Sequence, residues 1–115
     1  QQTMKVYTAE YRYSGDDRVD ITVKGKDQIG KIFAPSWKMV IRSKEGKLSW
    51  DEYSRLYRNL MLQSYQQNED IWNEILGRDE VTLVCFCKAG DSCHRYLLAE
   101  YFSKLGADYK GERKL

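Results

Sequence analysis

The run Val81-Thr82-Leu83-Val84-Cys85-Phe86-Cys87 constrains this chain more than any other stretch. It is almost wholly apolar, the pattern of a strand covered on both faces in the middle of a parallel sheet. Such a strand needs other elements to bury it, so it calls for a layered α/β fold. After the polar loop Lys88-Ala89-Gly90-Asp91, the residues Leu97, Leu98, Tyr101, Phe102 and Leu105 recur at helical spacing, and Gly106 supplies a stop. Ser92 is the expected N-cap of that helix. Ala107 to Lys110 reads as a returning strand, reached by a right-handed crossover.

Upstream, two strands are expected, Met4 to Tyr11 and Val19 to Val23, separated by the polar turn Ser14-Gly15-Asp16-Asp17. Lys24 to Lys31 reads as a loop. Pro35 ends any extended run, and Ser36-Trp37 opens a short helix with Trp37, Val40 and Ile41 on one face and Gly46 as its stop. Ser49 followed by Glu52 forms a capping box for a helix from Trp50, whose apolar stripe is Tyr53, Leu56, Tyr57, Leu60 and Met61. A shorter helix carries Ile71, Trp72, Ile75 and Leu76 and stops at Gly77. The expected architecture is a single three-layer α/β domain over residues 1–115, with a mostly parallel, Rossmann-like central sheet and helices on both faces.

Composition narrows the function classes. Hydrophobic residues are 42% of the chain and charged residues 31%, a globular balance. The 19 basic and 17 acidic residues leave a net charge of +2, too little basic excess for phosphate-backbone binding, so nucleic acid is not an expected partner. No stretch approaches the ~18 consecutive apolar residues of a membrane span, and Gln1 to Lys5 has no signal-peptide pattern, so a cytoplasmic location and no membrane contact are expected. The three cysteines, all between Cys85 and Cys93, are not a secreted disulfide framework; such clusters point to metal, redox chemistry or burial.

The segment Cys85 to Arg95 joins the carboxyl end of the apolar strand to the amino end of a helix, the place where open α/β sheets bind ligands. Unpaired helical N–H groups and the helix dipole favour an anion there, and Arg95 can add a two-pronged contact. A cysteine at the helix start gains thiolate character, and His94, the only histidine in the chain, stands beside Cys93. Each residue also has a structural alternative: Cys85 as a small buried hydrophobe, His94 satisfying a carbonyl, Arg95 pairing with a carboxylate such as Glu100, Asp20 or another acid. Cys85, Cys87, Cys93 and His94 are zinc-type ligands, but their spacing differs from the paired spacing of structural zinc sites, and adjacent residues of a helix project in different directions. No metal and no cofactor are therefore expected.

The stretch Val-Thr-Leu-Val-Cys-Phe-Cys-Lys-Ala-Gly-Asp-Ser-Cys-His-Arg resembles the signature of the family called domain of unknown function 488, in which an apolar strand ends in Cys and Cys-His-Arg opens a helix. Asp20 to Lys24, Phe33 to Val40, Trp50 to Tyr53 and Tyr57 resemble its short, phage-associated branch, so the likeness runs from Met4 to Glu112. The resemblance implies a compact α/β domain with Cys85, Cys93, His94 and Arg95 at the signature positions. It also implies Lys24 in the place of an early basic residue, a second anion contact.

Two readings of function follow. In the first, a small anionic, nucleotide-type ligand binds at this corner, with Arg95, His94, Cys93, Ser92 and Lys24 taking its charged part and Trp37, Tyr53 or Tyr57 stacking on a base. By analogy with the phage-like resemblance, such a protein would sequester a host immune signalling nucleotide in the host cytoplasm, an anti-defence role. In the second, the protein is an enzyme with Cys93 as nucleophile and His94 or a carboxylate as base, acting on a nucleotide or a nucleic-acid-derived substrate. Consecutive helical side chains diverge by about 100°, which weighs against the second.

Overall fold

In the computed structural model, which describes residues 3–23, 27–86 and 93–113, the apolar run is strand β3, Glu80–Cys85, and every residue from Val81 to Cys85 is buried. It is flanked on one side by β1, Lys5–Glu10, and on the other by β2, Arg18–Asp20; β4, Asp108–Glu112, pairs with the far side of β1. All three pairings are parallel, in the order β2-β3-β1-β4. The returning strand is thus separated from β3 by β1, and the connection crosses over one strand.

The helices sit where the capping and spacing signals put them. Helix α1 is Trp37–Lys44, with the Ser36 hydroxyl accepting from the Met39 N–H. Helix α2 is Trp50–Gln67, with the Ser49–Glu52 capping box formed. Helix α3 is Glu69–Leu76, and α4 is His94–Lys104. A short 3₁₀ turn, Gly30–Phe33, lies between β2 and α1. Gly46 and Gly106, just past their helices, have φ of 74° and 106°, the left-handed conformation that glycine adopts without a Cβ penalty. The chain forms one unit, with a radius of gyration of 13.3 Å, the size of a single packed domain of this length.

Register decides which face of the sheet is core. Val6 lies opposite Val81, and Leu83 lies opposite both Thr8 and Val19. Val6, Val81, Leu83, Cys85 and Val19 join Tyr57, Met61, Trp72, Leu98 and Phe102 of the helices in one apolar cluster. Phe33, Trp72 and Phe102 meet edge-on, with ring centres 4.8 to 5.5 Å apart, geometry that adds to area burial. On the opposite face, Arg113 and Asp17 contact the sheet at Tyr7 and Thr82. The Arg113 guanidinium lies 3.7 Å from the Tyr7 ring centre, and Asp17 accepts from the Thr82 hydroxyl. This four-stranded, all-parallel sheet with four helices is consistent with a three-layer α/β fold.

Several elements depart from the sequence expectation. The apolar strand ends at Cys85 rather than Cys87: Phe86 is 63% exposed, and Cys87 lies outside the described residues. The last strand runs to Glu112 rather than Lys110. The second strand ends at Asp20 rather than Val23, because the Asp20 carboxylate accepts from both the Thr22 N–H, at 3.0 Å, and the Thr22 hydroxyl, at 2.7 Å. That local turn takes a donor that a longer ladder would use. The α4 cap position belongs to Cys93, whose side chain makes no capping hydrogen bond; Ser92, expected there, lies outside the described residues.

Candidate functional site

The carboxyl ends of β2 and β3 open into a cleft of about 520 Å³. Its floor is Cys85, Cys93 and His94, and its walls include Thr22, Val23, Pro35, Trp37, Val40, Lys44, Trp50, Tyr53 and Phe86. Each wall has a local cause. The Ser36 cap directs α1 so that Trp37 and Val40 reach the cleft, and the capping box does the same for Trp50 and Tyr53 at the start of α2. Trp50 and Tyr53 stack with centres 5.3 Å apart and planes 14° from parallel. Trp37 is 48% exposed, surface that contributes little to the core.

The floor depends on one backbone detail. Cys93 precedes the helix and has φ −152° and ψ 147°, an extended conformation, while His94 is the first helical residue. The two adjacent side chains therefore do not fan apart as consecutive helical residues would, and Cys93 Sγ lies 3.8 Å from His94 Nδ1. The expectation of divergence fails for this reason. The other ring nitrogen, Nε2, donates to the Ile21 carbonyl at 2.8 Å, the structural role weighed from sequence. That bond leaves Nδ1 with its lone pair toward the sulfur. Burial pushes the His94 pKa down to about 4, partly offset by the Ile21 carbonyl, so the ring is neutral near pH 7.

Cys85 reaches the same point from the end of β3, and its sulfur touches that of Cys93. Their Cα atoms are 8.0 Å apart, beyond the roughly 4.4–6.8 Å across which backbones are normally bridged by a disulfide. Cys85, Cys93 and His94, all buried, bring their ligand atoms within 4.8 Å of one another.

Arg95 has no exposed surface. Its guanidinium grips Glu112 of β4 with two prongs, Nε to Oε1 at 3.3 Å and Nη2 to Oε2 at 3.0 Å. Nη1 donates to Cys85 Sγ at 3.0 Å, and the Tyr96 hydroxyl accepts from Nη2 at 2.9 Å. Arg95 thus stands behind the cysteine pair, joined to a carboxylate, and is absent from the cleft lining. Its partner is neither Glu100 nor Asp20 but Glu112, near the end of the chain, which no local spacing could have indicated.

Among the other residues singled out from sequence, Trp37, Tyr53, Cys93 and His94 converge on the cleft. Tyr57 does not: it is 1% exposed and donates its hydroxyl to the Phe33 carbonyl at 2.6 Å, behind the His94 ring, 5.6 Å between centres. Lys24, Ser92 and Cys87 lie outside the described residues. Sequence reasoning missed Trp50, Lys44 and Phe86 as cleft residues. For Trp50 a signal existed, since a helix whose amino end faces a sheet's carboxyl edge presents its first turn there.

No helix among the described residues is long and apolar enough to cross a membrane. No curated protein and no solved structure matches the chain. A family model does, that of the active DUF488-N3 subclade, over residues 2–106. That match takes in the Cys85 to Arg95 corner and every strand but the last, and by it the chain belongs to the DUF488 family.

Proposed function

We propose that the cleft binds a small anionic ligand of the nucleotide type. The observation that carries this reading is the pairing of flat aromatic walls, Trp37, Trp50 and Tyr53, with Lys44 and a cysteine–histidine floor at the strand ends, in a space of about 520 Å³. That volume falls within the roughly 300–1,000 Å³ of small-molecule sites. A base stacks on the aromatic wall, and the charged part turns toward Lys44 and the amino end of α4, where helical N–H groups carry partial positive charge. Arg95 contributes indirectly, by holding the floor in place through Glu112 and Cys85. Lys24 extends the basic wall on the sequence resemblance alone. That resemblance also supports the biological setting we propose, a phage-encoded protein that sequesters a host signalling nucleotide in the host cytoplasm.

The test is a panel of mono-, di-, cyclic and dinucleotides, scored by thermal shift and then by mass analysis of ligand released on heating. Retention of an unaltered nucleotide with a raised Tm supports the reading; no stabilisation by any member contradicts it. A cysteine-dependent enzyme is the second reading, favoured by the 3.8 Å approach of Cys93 Sγ to His94 Nδ1. The same mass analysis separates the two, since an enzyme returns an altered nucleotide.

A further inference from the structure

The cysteine and histidine floor has a chemistry that nucleotide binding leaves unused. Three donors from two elements, Cys85 at the end of β3 and Cys93 and His94 at the start of α4, bring their ligand atoms within 4.8 Å of one another, and all three residues are buried. In a tetrahedral zinc site, metal–sulfur bonds of about 2.3 Å and metal–nitrogen bonds of about 2.0–2.1 Å set the donor atoms about 3.6–3.8 Å apart. The Cys93 Sγ to His94 Nδ1 distance, 3.8 Å, already has that length. With Cα atoms 8.0 Å apart, the backbones of Cys85 and Cys93 are too distant for an ordinary disulfide, and their touching sulfurs must move apart to about 3.8 Å to admit an ion.

The surroundings are those that metal ligands require. A ligating imidazole usually donates its other nitrogen to a carbonyl or carboxylate, and His94 does so, Nε2 to the Ile21 carbonyl at 2.8 Å, presenting Nδ1 to the sulfurs. A thiolate ligand needs its charge balanced and its lone pairs satisfied, and Arg95 Nη1 donates to Cys85 Sγ at 3.0 Å. Charge closes as well: two thiolates neutralise a divalent ion, and the Arg95 cation is matched by Glu112 at 3.0 Å.

From this convergence of Cys85, Cys93 and His94 we propose a mononuclear site for a zinc-type divalent metal ion, with its fourth position open to the cleft. Soft thiolates with one imidazole select zinc over magnesium or calcium. All three donors also line the cleft, so water or a ligand atom from the cleft can reach the metal. The site does not depend on a nucleotide being the ligand of the cleft.

The test uses the whole chain, purified under reducing conditions without chelator, with metal content measured by plasma mass spectrometry. About one equivalent of zinc per chain is expected. Stripping with a chelator and refilling with cobalt(II) is expected to give a thiolate-to-cobalt charge-transfer band and the intense visible bands of tetrahedral coordination. Cys93→Ser and His94→Ala should each weaken metal affinity at least tenfold. The cobalt spectrum of the wild type keeps the proposal testable if either variant fails to fold. A wild-type protein that takes up neither zinc nor cobalt overturns the proposal. So does a cobalt spectrum without thiolate charge transfer, or a Cys85–Cys93 disulfide in reduced preparations.

Discussion

Arg95 is the residue whose surroundings settle most about this corner. Its guanidinium is fully buried, so its charge depends on Glu112, whose side chain is 19% exposed. Arg95→Ala strands that carboxylate and should lower stability by about 2–4 kcal/mol, somewhat under the usual range for a buried pair because water still reaches Glu112. Arg95→Lys keeps the charge but not the planar fork, and should recover only part of the loss in a urea denaturation series. Full stability in the alanine variant would contradict the assigned role. On the opposite face, Asp17 responds to acid through its partners. Burial alone would raise its pKa, but hydrogen bonds from Thr82 and Tyr13 and the nearby Arg113 outweigh burial and leave it lowered. A carboxyl with a lowered folded pKa contributes stability above the ordinary aspartate range and loses it as pH falls through the folded value. The wild type should therefore lose stability below about pH 4 more steeply than Asp17→Asn, which should itself cost about 1–3 kcal/mol at neutral pH. Parallel pH profiles for the two proteins would argue against this account.

At the scale of elements, the local signals were legible because each is a short-range chemical pattern. Ser36, Ser49 and Glu52 cap as their types and spacing require, and Gly46, Gly77 and Gly106 follow their helices. Ser49→Ala removes the acceptor for the Glu52 N–H, held at 3.2 Å, and should cost about 1 kcal/mol by thermal or chemical denaturation. Because α2 carries Trp50 and Tyr53 into the cleft, the same change should loosen that wall. An unchanged denaturation midpoint would show that tertiary packing alone fixes the start of α2. What local pattern did not show was where elements stop or turn for tertiary reasons. The end of β2 is set by the Asp20 side chain competing for the Thr22 N–H, and the approach of Cys93 to His94 is set by an extended residue immediately before a helix. Both are single-residue backbone choices, invisible to a periodicity that averages over a turn. The assignment of Tyr57 to the ligand failed for a related reason: the stripe of α2 is helical in period, but only its first turn faces the cleft, and Tyr57 lies one turn farther into the core.

For the whole molecule, the parallel sheet places the ends of β2 and β3 beside the starts of α1, α2 and α4, so one corner collects aromatic walls from one part of the chain and sulfur and imidazole from another. The run Val81 to Cys85 made the sheet legible, since an uninterrupted apolar strand has few other uses. Long-range partners were not legible: Glu112 meets Arg95 only because β4 lies beside β1. Trp37 separates a corner that binds a ligand from one that serves only as architecture. It lines the cleft yet is 48% exposed, so its side chain can be removed with little loss of core packing. The direct measurement is isothermal titration of the best-binding nucleotide into the wild type and Trp37→Ala, with the Tm of each protein recorded alongside. If the corner binds a nucleotide, Trp37→Ala loses about 1–3 kcal/mol of affinity, the value of one aromatic–base stack, with Tm nearly unchanged. Equal affinity in the two proteins would contradict that reading.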